Sequence, residues 1–364
     1  MEFIGKRKIL IAPLDWGLGH ATRCIPIIYE LLKQEHEVLI AAEGPIKILL
    51  QKEFPSIEYL PLKGYGIRYG KTRSALLFNL LWQVPKFLKS IALEKAWLEQ
   101  VIKKKGINIV ISDNRFGLYH KDVHSIFITH QLLIKSPFLQ SFLQRLNYSF
   151  INQFDECWVP DSNVEPYLSG ILSHPKKLPQ IHVRYIGWLS RFQKKEGVKQ
   201  LHLLILLSGP EPQRSILENI IIRQLKNFLK PVLIVRGLPG NENQLQVNDY
   251  VKCINHLPAG LLEDVIHSSS FVIARSGYST VMDLLKMQKK SILIPTPGQT
   301  EQEYLAQHLL QNNLAFCTKQ KTFNLDRALE AAGNFKYAYY DRDATNLLQQ
   351  TLWFKNFLHS KVKA

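Results

Sequence analysis

Several short stretches of the chain combine residue types and spacings suited to chemistry on an anion. In IAPLDWGLGH, residues 11–20, an apolar run ends at Gly17, Gly19 and His20, and helical spacing follows with no acidic residue in its first turn. Glycines at such a turn let the backbone bend sharply and let a ligand come close. The free N–H groups of the helix that follows attract negative charge. FVIARSGYSTVMDLLKM repeats the arrangement, with Arg275, Ser276 and Gly277 between an apolar run and a helix-like stretch, and Ser276, Ser279 and Thr280 are placed to cap that helix. Asp283 follows about one turn inside, on the side that could meet the hydroxyls of a ribose. In ILIPTPGQTEQEYLAQHL, Gln302 and Glu303 supply the mixed donors and acceptors that a sugar requires. Each stretch also has a plain structural reading: a tight turn, compensation of a helix dipole, and an acid-rich helix start.

These residues need elements that bring them to one place. KRKILIAPL, HEVLIAAEG, INIVISDN, HSIFITHQ and DECWVPDS are short apolar runs ending in polar residues, with helical spacing between the first of them. LHLLILLSG, KPVLIVRG, YVKCINHLP, SFVIARSG and KKSILIPTPG begin the series again. Alternation at this period predicts an α/β fold whose parallel sheets are covered on both faces. The division predicts two doubly wound, Rossmann-like domains facing a cleft, at residues 1–187 and 201–343. A polar, Lys-rich linker at 188–200 would act as the hinge, and a last helix at 344–364 would cross back to the first domain. In open parallel sheets ligands bind beyond the carboxyl ends of the strands, where all the stretches quoted above lie.

Composition narrows the partner. With 46 Lys plus Arg against 30 Asp plus Glu, the formal net charge is +16, which favours an anionic substrate, an acidic membrane face or nucleic acid. Nucleic acid is set aside, because the sequence has no zinc-finger spacing, no ribonucleoprotein aromatic motif and no isolated basic helix. Cys24, Cys157, Cys253 and Cys317 lie far apart without a CxxC pair, so neither a zinc knuckle nor a disulfide framework is indicated. No apolar run reaches the ~20 residues of a membrane span. A cytoplasmic protein is expected.

The spacing ARSGYSTVMDLL…ILIPTPGQTEQEYLAQ resembles the C-terminal donor-binding signature of glycosyltransferase family 28, the MurG group, and GLGHATRCIPI resembles that family's N-terminal glycine-rich loop. The resemblance implies the B-type glycosyltransferase fold and an inverting transfer from a UDP-sugar, with no obligatory metal or other cofactor. It places the donor diphosphate at Ser276 and Gly277, the ribose at Asp283 and the sugar at Gln302 and Glu303. The family has a glutamine where Glu303 stands, which leaves the donor sugar open; UDP-N-acetylglucosamine and a UDP-hexose both fit. Ser208 and Gly209 match the turn after the first strand of the donor domain, and Ile254 falls near the position whose backbone meets uracil. Gly17, Gly19 and His20 match a glycine loop that is shortened here, and His130 in FITHQ matches a histidine at another strand tip.

Breaking a sugar–phosphate bond leaves negative charge on the diphosphate, which helix N-termini stabilise, and the acceptor hydroxyl must lose a proton to a base. His20, His130 and Asp113 are the three candidates for that base. The acceptor is expected to be a glycan or a lipid-linked glycan of the cell envelope. SALLFNLLWQVPKFLKSIALEKAWLEQVIKKK reads equally as an interfacial helix on the inner, anionic face of the cytoplasmic membrane or as a core helix pair broken at Pro85. Two rivals remain: a nucleotide-sugar epimerase of the same architecture, and a nucleotide hydrolase with GYGIRYGKT, residues 64–72, as its P-loop. Tyr65 stands where that loop needs glycine. The DRD triplet at Asp341 to Asp343 reads as a solvated helix start rather than a metal site.

Overall fold

The computed structural model describes residues 6–65, 73–135, 140–195, 200–238 and 245–340. The expected terminal helix, the DRD triplet and most of the P-loop-like stretch lie outside the described residues. Those within fall into two compact units that divide between Leu189 and Ser190.

In the first unit the elements run β1 (Lys8–Pro13), α1 (Leu18–Lys33), β2 (Glu37–Ala41), α2 (Gly44–Glu53), β3 (Glu58–Leu60), α3 (Arg73–Lys105), β4 (Ile109–Asp113), β5 (His124–Ile128), α4 (Gln140–Ile151), β6 (Glu156–Val159) and β7 (His182–Tyr185). The seven strands form one parallel sheet in the order β3-β2-β1-β4-β5-β6-β7. β1 and β4 are almost wholly buried runs, as strands covered on both faces must be. Leu10, Leu39 and Val110 pack with Leu98 of α3 on one face of the sheet. α3 continues through Pro85, so the expected helix pair broken there is one helix. A proline forfeits one backbone hydrogen bond, and the 33-residue length of α3 leaves the remaining ladder to carry the helix across it.

The second unit runs β8 (Leu201–Leu206), α5 (Gln213–Leu225), β9 (Val232–Val235), β10 (Val251–Ile254), α6 (Ala259–Ser268), β11 (Ser269–Ala274), α7 (Tyr278–Lys286), β12 (Ser291–Leu293), α8 (Thr300–Gln311), β13 (Phe316–Cys317) and α9 (Leu325–Asn334). Its sheet is also parallel, in the order β10-β9-β8-β11-β12-β13. Leu203, Ile205, Ile273 and Ile292 face Leu217 and Ile221 of α5 and Leu325 and Ala328 of α9 in its core.

Both sheets reverse their strand order once, between β1 and β4 in the first and between β8 and β11 in the second. At such a switch point the two neighbouring connections leave in opposite directions and open a crevice at the strand ends. The sequence candidates sit there: His20 follows β1 and Asp113 ends β4, while Ser208 and Gly209 follow β8 and Arg275, Ser276 and Gly277 follow β11.

The stretch read as a linker is in part structural. Ser190 Oγ donates to Asp283 Oδ1 at 2.7 Å, the Gln193 N–H donates to Glu263 Oε1 at 2.7 Å, and Lys195 Nζ meets Glu263 Oε2 at 2.5 Å. Residues 190–195 are thus fastened to α6 and α7 of the second unit.

Candidate functional site

In the first unit, Gly17 precedes α1 with φ 115°, a conformation that a side chain resists, and no side chain caps the helix. His20 therefore enters the first turn with Nδ1 3.1 Å from Asp113 Oδ2. Asp113 is fully buried. Arg23, one turn after His20, donates from Nε to Asp113 Oδ2 at 2.7 Å and from Nη2 to Asp113 Oδ1. Its Nη1 lies 3.1 Å from His130 Nδ1 and its Nη2 lies 2.8 Å from His20 Nδ1. Arg23 thus joins all three candidate bases into one cluster.

The electrostatics separate their roles. Burial works to raise the Asp113 pKa, but Arg23 and His20 outweigh it and hold the carboxyl at about 2. Asp113 is a fixed anion, which corrects its reading as a proton acceptor. Burial lowers the His20 pKa, with Asp113 opposing, so the imidazole is neutral near pH 7 and able to take a proton. With Nδ1 turned toward Asp113, Nε2 is the nitrogen left for a substrate. The His130 side chain is buried and meets the guanidinium of Arg23, a position that suits support of the cluster.

A second buried network shapes the same strand ends. Arg115, just past β4, pairs with Glu94 of α3 at 2.8 Å and donates to the carbonyls of Pro13 and Lys63. Glu94 also accepts from the Tyr65 hydroxyl and the Gly117 N–H. Tyr65, the residue that spoils the P-loop match, is thereby a buried anchor of the loop after β3.

In the second unit, Gly277 is the N-cap of α7, no side chain caps that helix, and its first turn holds no acid. A β-carbon built on Gly277 would meet nothing within 4 Å, so the space before the helix is open. The expected capping by Ser276 is corrected: its hydroxyl donates to the Gln302 carbonyl at 2.9 Å and ties the α7 entry to α8. Ser208 is exposed, and Gly209, also exposed, has φ 101°. Arg275 is inside the unit, 1% exposed, which corrects its reading as a direct ligand contact.

Asp283 reaches Ser190 Oγ, and burial raises its carboxyl to about 6 against the lowering effects of Arg191 and Ser190. Gln302 Oε1 accepts from the Thr296 N–H at 2.9 Å and Gln302 Nε2 donates to Gln299 Oε1 at 2.5 Å. Glu303 Oε1 accepts from the Gly298 N–H at 2.9 Å. Both side chains organise the 296–299 loop. The Ile254 carbonyl accepts from the Arg236 N–H at 2.9 Å as part of the sheet ladder. Arg236 makes a two-point ion pair with Glu218, which also holds Arg214.

The sequence reading missed Arg23, Ser190, Arg236 and Thr296. Arg23 had a signal, a cation one turn after His20 on an otherwise apolar buried face; the others become visible only through long-range contacts. Among the described residues no group of three or more His, Cys, Asp or Glu could hold a metal ion, and no helix is long and apolar enough to cross a membrane.

Residues 226–352 match the glycosyltransferase family 28 C-terminal domain. Over 330 residues the chain is 24% identical to an uncharacterized glycosyltransferase of Methanosarcina acetivorans, covering 81% of each. Over 308 residues it is 24% identical to a UDP-N-acetylglucosamine–N-acetylmuramyl-(pentapeptide) pyrophosphoryl-undecaprenol N-acetylglucosamine transferase of Clostridium tetani, covering 80% of this chain and 78% of the relative. Among solved structures it resembles Acinetobacter baumannii MurG, with TM-score 0.54, 13% identity and coverage of 99% and 97%. It also resembles the kitacinnamycin glycosyltransferase, with TM-score 0.64, 12% identity and coverage of 99% and 97%. These structures show a shared B-type fold.

Proposed function

We propose that this chain, whose residues 226–352 match the family 28 C-terminal domain and whose fold is of the B type, is a glycosyltransferase that transfers a sugar from a UDP-sugar to a lipid-linked or glycan acceptor of the cell envelope, with inversion. The observation that carries the reading is the open, acid-free start of α7 at Gly277, with the Asp283 carboxylate inside the same helix. Backbone N–H groups and the helix dipole suit a departing diphosphate, and Asp283 suits a ribose. His20 is the proposed base: it takes the acceptor proton on Nε2 while Asp113 steadies the imidazolium that forms.

The Clostridium relative's name gives it a pyrophosphoryl-undecaprenol acceptor, and a membrane-held acceptor fits the surface of the first unit here. Leu88 and Leu93 of α3 and Phe142 of α4 are 46%, 60% and 61% exposed, and Lys86, Lys89 and Lys95 are exposed on α3 as well. Apolar side chains among lysines suit the inner face of a cytoplasmic membrane.

The test is a thermal-shift panel of UDP-, GDP- and dTDP-sugars on the wild type and Asp283→Ala. Uridine compounds should stabilise the wild type selectively, by an amount reduced in the variant. Stabilisation by guanosine or thymidine compounds instead, or a shift unaffected by the substitution, would refute the nucleotide or the site.

A further inference from the structure

Among the described residues, Arg275 is a buried cation with no carboxylate partner. Nη1 donates to the carbonyls of Ile294 and Pro295, both at 3.3 Å, and Nη2 donates to the Gln213 carbonyl at 2.7 Å. Nε has no hydrogen-bond partner, and no Asp or Glu among the described residues pairs with the guanidinium. Close by in sequence to those carbonyls, the hydroxyl of Thr296, a residue 2% exposed, is also buried without a partner. Other buried arginines of the chain are neutralised: Arg23 by Asp113, Arg115 by Glu94, and Arg214 by Glu211 and Glu218.

A buried charge that meets carbonyl dipoles but no counter-ion costs free energy, and an anion brought close to it would offset part of that cost. Arg275 immediately precedes Ser276 and Gly277, at the open start of α7. We propose that the diphosphate of the donor is the counter-ion of Arg275, drawn to the α7 start by a charge that it does not touch. Its three carbonyl bonds hold the β12 tip and the α5 start, so the same side chain positions the loops and supplies the field. Burial lowers its pKa to about 10. The inference rests on the nucleotide-sugar reading given above.

A structural role depends on the guanidinium's own hydrogen bonds and would not return with lysine, whereas a field returns with any cation and acts in proportion to ligand charge. Uridine, UMP and UDP titrated calorimetrically into the wild type, Arg275→Gln and Arg275→Lys separate the two. Glutamine keeps a donor for the carbonyls and removes the charge. We expect Arg275→Gln to weaken UDP about tenfold, UMP about threefold and uridine less than about twofold, and Arg275→Lys to recover most of the loss. Equal losses for the three ligands, or none, would overturn the inference while leaving nucleotide binding intact. A wild type that binds no UDP would remove the underlying reading and the inference with it. If Arg275→Gln does not fold, salt serves on the wild type: a shielded charge should keep the UDP-to-uridine affinity ratio within about threefold between roughly 0.1 and 1 M NaCl. A larger fall would assign the attraction to exposed cations and overturn the inference.

Discussion

Asp113→Asn tests the design of the charged cluster in the first unit. The carboxylate takes two bonds from Arg23 and one from His20, with Cys24 Sγ 3.8 Å away, and Arg23 itself is 2% exposed. Removing the charge leaves the guanidinium buried and unbalanced, and breaking a buried pair in this way costs about 3–5 kcal/mol. The Asp113 pKa gives a second figure: lowered from 3.8 to about 2, at ~1.36 kcal/mol per unit, it amounts to roughly 2 kcal/mol. Because the folded pKa is depressed, that stability is present above the unfolded value and disappears as pH falls through 3.8 toward 2. The two figures bracket about 2–5 kcal/mol, which for a unit of this size lowers Tm by roughly 5–15 °C. Scanning calorimetry of both proteins near pH 7 and near pH 3 should show that gap at the higher pH and a narrower one at the lower. A variant within about 2 °C of wild type near neutrality would refute the electrostatic account of the cluster.

Three further outcomes are expected. His20→Ala should lower kcat by about 10²- to 10⁴-fold in a UDP-release assay while leaving UDP affinity unchanged; a loss confined to KM would make His20 a binding residue. Asp283 has a raised folded pKa, so wild-type stability should decline as pH rises from 3.8 to about 6. Asp283→Asn should then be the more stable protein above that window, and UDP affinity should rise with pH through about 6 in the wild type but be flat and weak in the variant; an unchanged profile in the variant would contradict this. Finally, the wild type should sediment with anionic phospholipid vesicles at low salt and release at high salt, and Leu93→Asp with Phe142→Asp should abolish the low-salt binding; vesicle binding insensitive to both salt and substitution would refute the membrane-facing surface.

Much of the fold was legible because strand and helix patterns are local. The apolar runs of β1, β4, β8 and β11 each end at the residues that matter, and glycine at 17, 209 and 277 marked the turns. Short peripheral pieces such as β3, β7 and β13 carry too few apolar residues to announce themselves. Among the site residues, Ser276 and Asp283 were placed on the right elements, but their bonds were not foreseeable. Ser276 answers Gln302, 26 positions away, and Asp283 answers Ser190, 93 positions away.

The sequence by itself determined the two parallel-sheet units, the strand ends where the candidate residues lie, and the stretch after β11 that resembles the family 28 signature. Period and turn chemistry are written in neighbouring residues, and each unit has to bury its apolar runs in the same way. Only the tertiary structure decided which charged groups are spent internally and which remain for a substrate. Asp113 became a fixed anion because Arg23 reaches it from α1, and Arg275 is left without a carboxylate among the described residues because its hydrogen bonds go to backbone carbonyls. Protonation and availability depend on burial and on partners far away in the chain, and those exist only once the chain has folded.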